Sequence, residues 1–259
     1  MHHLRRGTGK PLLLIHGLGQ SARSWDPIMD TLAARREVIA VDLPGFGETP
    51  AVPGGESVAT LTDTVESFIG EQGLDGVDVA GSSMGARMAL ELVRRGSSVG
   101  SVVALDPGGF WTDRQAKVFH ASVAASIRLV RSLMGVMPTL TASAVGRTLL
   151  FSQFSAHPWR LDPDLLLTEM RAFASSPSFD AVLADLAEGP RQEGAAPGTA
   201  PGALTIAWGR QDKVTLPSQA ETALERFPDA RMHWFERCGH FPQWDVPQQA
   251  ARMILDHTG

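Results

Sequence analysis

The sequence predicts an α/β fold: a mostly parallel β-sheet of about seven strands, flanked by helices and interrupted once by a block of helices. Three observations predict it. Short runs apolar on both faces alternate with stretches whose apolar residues recur every three or four positions. That rhythm stops at Phe110 and resumes at Leu204. The chain has 259 residues, 43% of them hydrophobic and 20% charged, enough for a substantial core.

Residues 1–10 are basic, but the apolar run that follows is only Leu12-Leu13-Leu14-Ile15. A secretory h-region needs roughly 7–15 apolar residues, and a membrane-spanning helix roughly 18 or more. A cytoplasmic protein without a membrane span is therefore expected.

Leu12-Leu13-Leu14-Ile15 is read as the first strand. Further strands are predicted at 38–43, closed by Pro44-Gly45, at 77–80, leading into Gly81, and at 101–106, ending on Pro107-Gly108-Gly109. Helices are predicted between them. Residues 25–34 carry Trp25, Ile28, Met29 and Leu32, and residues 58–70 carry Leu61, Val65, Phe68 and Ile69. Residues 84–95 place Met88 and Leu92 one turn apart, with Ala86 and Ala89 permitting close packing.

From 110 to 189 the strand pattern disappears. Helices are predicted at 115–134, 142–150, 164–174 and 179–188, with Pro138, Pro158, Pro163 and Pro177 as breakers. A linker rich in Gly, Ala and Pro follows at 190–201. Strands then return at 204–208 and 231–235, and the last helix covers 247–257. The organisation expected is an α/β core in two parts, 1–109 and 190–259, separated by a helical insertion at 110–189.

Composition narrows the function. A net charge of −5 argues against a nucleic-acid binder, which carries a basic face. One cysteine, Cys238, allows neither an internal disulfide nor a cysteine zinc cage. With no tyrosine, no step can use a phenol as acid, base or oxyanion donor.

Four local patterns carry chemistry. Gly81-Ser82-Ser83-Met84-Gly85 fits G-x-S-x-G between a strand and a helix, where glycines let a serine adopt strained dihedrals and project its hydroxyl. His16-Gly17-Leu18-Gly19 follows the first strand, where loops converge on the ligand crevice of an open α/β sheet. The N–H groups of Leu18 and Met84 are the candidate oxyanion donors. Asp212 lies in Gly209-Arg210-Gln211-Asp212 after a late strand, and His240 in Cys238-Gly239-His240-Phe241-Pro242. A serine hydroxyl needs a base to take its proton, and a carboxylate must orient that base. Ser83, Asp212 and His240 appear in the chain order this architecture uses.

On these motifs the sequence resembles the α/β-hydrolase family over nearly its whole length. His16-Gly17-Leu18-Gly19 with Trp25 looks like the oxyanion loop, and Asp42-Leu43-Pro44-Gly45-Phe46-Gly47 like the family's D-x-P-G-x-G turn. Residues 80–85 look like the nucleophile elbow, 209–212 like the acid loop, and Gly239-His240 with Pro247 like the histidine loop. The resemblance implies hydrolysis through an acyl-enzyme and a helical cap inserted after Asp106. Lidded esterases, C–C bond hydrolases of aromatic degradation and cofactor-free perhydrolases are the most similar branches. Two departures stand out. Ala86 occupies a position where many relatives have a second glycine, and the chain starts at what looks like the second strand of the family sheet, with the usual first strand missing or trimmed. The lack of tyrosine, together with Ser83 at the elbow, sets aside the epoxide-hydrolase branch, which resembles lidded enzymes with an aspartate nucleophile and lid tyrosines. Ser83 alone sets aside the dehalogenases.

Asp42 is read as capping its own turn. Asp106 is the reserve acid, because some relatives carry the acid after this earlier strand; Asp212 is preferred for its complete loop motif. His2, His3, His120, His157, His233 and His257 show no metal spacing and are read as surface or core. Met84, Trp25, Trp111, Met134, Met137, Phe151, Phe154, Trp159, Met170 and Phe241 are candidate pocket walls, with Leu18, Val214, Trp25, Trp111 and Phe241 singled out for substrate contact. Arg128 and Arg131 lie a turn apart and are read as a solvated face rather than a carboxylate site.

The expected protein is thus a lidded carboxylic-ester hydrolase acting on a small hydrophobic acyl or aromatic substrate. It needs no metal or organic cofactor, binds no nucleic acid, and is a monomer or homodimer. C–C bond hydrolysis and perhydrolysis are the enzymatic alternatives. A hydrolase-like receptor for a small ligand is the non-enzymatic one.

Overall fold

A computed structural model describes residues 1–52 and 54–259. Strand β1 (His3–Arg6) is followed by β2 (Pro11–Ile15), α1 (Asp26–Ala33), β3 (Glu37–Val41), α2 (Val58–Glu71), β4 (Val77–Ser82), α3 (Met84–Arg95) and β5 (Val99–Leu105). Five helices come next: α4 (Asp113–Leu133), α5 (Met137–Ala142), α6 (Ala144–Phe151), α7 (Pro163–Ser175) and α8 (Phe179–Glu188). The chain closes with β6 (Leu204–Gly209), α9 (Ala220–Arg226), β7 (Ala230–Phe235), α10 (Pro242–Asp245) and α11 (Pro247–His257).

The seven strands form one sheet in the order β1-β3-β2-β4-β5-β6-β7. Only β1 runs antiparallel, pairing with β3; all the other pairs are parallel. The chain leaves β2 toward β3 and returns on the other side as β4. The loops after β2 and β4 therefore diverge at a switch point, where open α/β sheets bind ligands.

Alternation along each strand feeds two cores. Leu13 and Ile15 join the cluster that holds Met88, Leu92, Phe68 and Ala223, under α2, α3 and α9. Leu12 and Leu14 join Ile28, Met29, Met253 and Ile254 under α1 and α11. Burial on both faces favours apolar residues at successive positions, which is why β2 reads as an unbroken apolar run.

A buried clasp fixes the opposite end of the sheet. Asp78, 1% exposed, accepts from Arg36 Nη2 at 2.7 Å, from Lys10 Nζ at 2.8 Å and from the Ser101 N–H at 2.8 Å. Arg36 also donates to the carbonyls of Lys10, Pro11 and Thr258.

Helices α4 to α8 lie between β5 and β6, with no strand among residues 113–188. The helix expected at 142–150 is instead α6, which begins at Ala144. Ser143 closes α5 and caps α6 by accepting the Gly146 N–H. Pro138 and Pro163 stand in the first turns of α5 and α7, where the absent N–H has no intrahelical partner to lose. The linker after α8 is irregular but tied down: Gln192 N–H donates to the Gly109 carbonyl, and Ala195 N–H to the Arg226 carbonyl. Among the described residues, no helix is long and apolar enough to cross a membrane.

Candidate active site

Ser83 stands at the junction of β4 and α3 with φ 55° and ψ −111°, a left-handed conformation that is strained for a residue with a Cβ. Its N–H is held by the Leu105 carbonyl at 2.8 Å. The turn is too tight for side chains on either side. A Cβ on Gly81 would lie 2.2 Å from the Gly85 carbonyl oxygen, and one on Gly85 would lie 2.2 Å from that of Ile15. Ala86, at the position of the family's second glycine, is fully buried in the core.

The loop after β6 presents Asp212. Its Oδ1 accepts the N–H groups of Val214 and Thr215 at 2.7 and 3.1 Å, and its Oδ2 accepts Thr215 Oγ1 at 2.7 Å. His240 follows β7. Its Nδ1 lies 2.8 Å from Asp212 Oδ2, and its Nε2 lies 2.8 Å from Ser83 Oγ. Both carboxylate oxygens act only as acceptors here, so Nδ1 carries the imidazole proton and Nε2 accepts from the serine hydroxyl. His240 and Asp212 are both buried. The arrangement can withdraw a proton from Ser83 and hold the resulting imidazolium against a carboxylate.

Asp106, at the end of β5, lies beside this relay. It is fully buried with φ 48°; Oδ1 accepts the Gly209 N–H at 2.8 Å, and Oδ2 has no partner among the described residues. Burial, then the neighbouring Asp212 carboxylate, pushes its pKa well above the ordinary carboxyl value. The structure brings Asp106 close to Asp212 and His240, but no hydrogen bond joins it to the imidazole. One oxygen of each carboxylate and one His240 nitrogen lie within 4.8 Å of one another, a spacing that suits a cation. Asp212 and His240 already spend those atoms on the hydrogen bonds described above.

The loop after β2 is built from its own side chains. The His16 ring is completely buried, which lowers its pKa and keeps it neutral. Its Nδ1–H donates to the Gly17 carbonyl at 2.7 Å, while Nε2 accepts the Leu43 N–H at 3.1 Å. The Gly17 N–H donates to Gln20 Oε1 at 3.0 Å, and the Gln20 N–H to the Gly17 carbonyl. Neither Leu18 N–H nor Met84 N–H donates to an acceptor among the described residues. Two free donors on the loops after β2 and β4 are what a developing oxyanion requires.

Above Ser83 lies a cavity, and α4, α6 and α7 supply much of its wall. Trp111, Val214 and Phe241, expected as substrate contacts, line it beside Leu18 and Met84, as do Phe151, Phe154 and Met170. Trp25 does not. Its side chain belongs to the core under α1 and α11 with Leu12 and Leu14, on the other face of the sheet. Met134, Met137 and Trp159 also lie outside the lining: Met137 is core, and Trp159 is half-exposed. Arg128 is exposed, and Arg131 pairs with Asp180 at 2.8 Å, as a solvated face predicts.

Three site residues escape a reading of the sequence. Thr215 doubly engages Asp212, and a threonine three residues after an acid is a weak turn signal. Gln20 and Glu169 also line the cavity, and nothing local marks either of them.

A family model described as "Alpha/beta hydrolase family" matches residues 12–253. The chain is 29% identical, over its whole length, to a dihydrolipoyllysine-residue acetyltransferase component of an acetoin cleaving system from Cupriavidus necator, of which it spans 66%. It is 25% identical to a 2-hydroxy-6-oxo-6-phenylhexa-2,4-dienoate hydrolase from Burkholderia cepacia, covering 96% of this chain and 88% of that one. Among solved structures, a thermophilic esterase from Thermogutta terrifontis superposes with a TM-score of 0.77 at 20% identity, covering 98% and 91% of the two chains.

Proposed function

The chain belongs to the alpha/beta hydrolase family, and on that premise we propose that it hydrolyses carboxylic esters of small, largely apolar acids through an acyl-enzyme on Ser83. The observation that carries the proposal is the continuous relay Ser83–His240–Asp212, with two 2.8 Å links, opening into an apolar cavity with two free N–H donors beside the nucleophile.

His240 Nε2 takes the Ser83 proton as Oγ attacks the carbonyl carbon. The carbonyl π pair moves onto oxygen, where Leu18 and Met84 N–H hold it. Collapse of the tetrahedral adduct expels the alkoxide, which takes the proton from His240. A water molecule then repeats the sequence on the acyl-enzyme, releasing the acid and restoring Ser83. Asp212 stays ionised throughout and fixes the imidazole. Losing one oxyanion donor in such a site costs about 10²–10³ in rate.

In this reading residues 110–189 act as the cap, and its aromatic and aliphatic side chains select the hydrophobic part of the substrate. A cytoplasmic setting is supported by a lone, buried cysteine.

A fluorophosphonate should label Ser83 covalently, read by peptide mass spectrometry. Ser83→Ala should lose at least about 10⁴-fold in p-nitrophenyl ester turnover with its circular dichroism unchanged. A label on another residue, or turnover surviving in the variant, refutes the assignment. C–C bond hydrolysis is the second reading, favoured by the name of the Burkholderia cepacia relative. Turnover of an aromatic ring-fission product faster than that of every ester would select it.

A further inference from the structure

The apolar cavity has a polar corner. Gln20 and Glu169 line it, are 3% and 1% exposed, and each directs one polar atom to no partner among the described residues: Gln20 Nε2 and Glu169 Oε2. Their other atoms are fixed. Gln20 Oε1 accepts the Gly17 N–H, so the nitrogen is the free end of the amide. Glu169 Oε1 accepts Ser21 Oγ–H at 3.0 Å, and Ser21 adjoins Gln20 in sequence. Burying polar atoms without partners costs stability. Two of them in one corner of a ligand cavity mark a place where a ligand supplies the partners.

The corner lies on the oxyanion side of the nucleophile. A Cβ on Gly17 would sit 2.9 Å from Gln20 Oε1 and 3.2 Å from Ser83 Cβ, so the amide and the serine approach the same glycine. The leaving group must face His240 to take its proton, which leaves the oxyanion-loop side to the acyl group. Gln20 offers only N–H donors, which repel a cation and welcome an oxygen lone pair.

Resting on the acyl-enzyme reading, we propose that Gln20 and Glu169 form an acyl-side subsite for a neutral, hydrogen-bond-accepting oxygen. The preferred substrates therefore carry a carbonyl or ether oxygen in an otherwise hydrophobic acyl chain. Gln20 Nε2–H and the protonated carboxyl of Glu169 donate to that oxygen. Burial pushes the Glu169 pKa up to about 8, with the Asp26 and Asp42 carboxylates adding to the shift and the Ser21 hydrogen bond opposing it. At neutral pH Glu169 is therefore the acid, a donor, and places no negative charge near the forming oxyanion.

The test compares near-isosteric p-nitrophenyl esters: butanoate with methoxyacetate, and pentanoate with 4-oxopentanoate. The quantity read is the ratio of kcat/KM for the oxygenated over the alkyl ester, which cancels loss of activity common to both. Glu169→Leu and Gln20→Leu should each lower that ratio about tenfold in at least one pair, while Glu169→Gln, which keeps an N–H donor, holds it within threefold of wild type. A ratio that moves by less than threefold in both leucine variants for both pairs overturns the subsite. Thermal melting checks that each variant is folded, since Glu169→Leu leaves the Ser21 hydroxyl without its acceptor; the ratio of the two esters, not the melting point, reads recognition. If wild type turns over none of these esters, the acyl-enzyme reading fails separately. The subsite is then judged by calorimetric binding of methyl 4-oxopentanoate and methyl pentanoate to Ser83→Ala, and equal affinities overturn it.

Discussion

The backbone N–H of His240 donates to the carbonyl of Phe154 at 2.8 Å, joining the helical insertion directly to the residue proposed to take a proton from Ser83. Asp245 reinforces the joint, accepting the N–H groups of Ala156 and Gly239 at 2.8 and 2.7 Å as well as the Ser155 hydroxyl. Asp245→Ala should leave three donors without their acceptor and loosen the histidine loop. We expect kcat to fall about tenfold or more with KM little changed, because proton transfer depends on sub-ångström placement. Steady-state kinetics on one ester checks this, and an unchanged kcat in a folded variant would show that the joint does not position His240.

The two buried carboxyls at the relay should respond very unequally to the same change. Asp212→Asn abolishes the charge that orients His240 Nδ1–H and should cost about 10⁴ in kcat. Burial, then the Asp212 carboxylate, raises the Asp106 pKa and favours its neutral form, for which Asp106→Asn is a close isostere. That variant should keep kcat within about tenfold of wild type. Equal losses in the two variants would make Asp106 a partner in the relay.

Glu169 links stability to pH. Its ordinary value is 4.5, and folding raises it to about 8. Between those values the native state holds a proton that the unfolded chain has released. Stability supplied by the neutral form is complete below about pH 4.5 and declines as pH rises toward 8. Glu169→Gln should flatten this decline. Urea unfolding at several pH values across that window checks it, and parallel curves for the two proteins would disprove the buried protonated state.

The clasp at the opposite end of the sheet makes a pure stability prediction. Asp78→Ala leaves the buried Arg36 guanidinium without its carboxylate and frees the Ser101 N–H. Breaking a buried pair by removing one partner costs about 3–5 kcal/mol. Denaturant unfolding should show a loss of that order, with kcat/KM of the remaining folded protein unchanged.

Strands β2 to β6 are legible in the sequence because burial on both faces leaves them mostly apolar, and β7 because its Met232, Trp234 and Phe235 follow a helix and precede a turn. β1 is not, since His3-Leu4-Arg5-Arg6 lies at the sheet edge, partly exposed, and its pairing is antiparallel backbone hydrogen bonding. Helix α9 escapes notice because it is short and buries only Ala220 and Ala223. The trio Ser83, Asp212 and His240 is legible because each lies in a local turn whose glycines are dictated by close backbone approach. Trp25 misleads through its nearness in sequence to the loop after β2, although the short helical turn just before α1 places it in the core on the other face. Gln20 and Glu169 come from the loop and α7, nearly 150 positions apart, and only the folded chain brings both to one cavity.

The crowding around Gly81 and Gly85 has an evolutionary consequence. Neither position admits even a methyl group, so the chemistry-bearing turn is closed to gradual variation. The walls facing the substrate, Trp111, Phe119, Phe151 and Phe173 among them, come from the insertion and its approach, where exchanging one apolar side chain for another leaves the elbow untouched. Descendants of such a scaffold can change diet by drift in one segment while inheriting their reaction intact from the other.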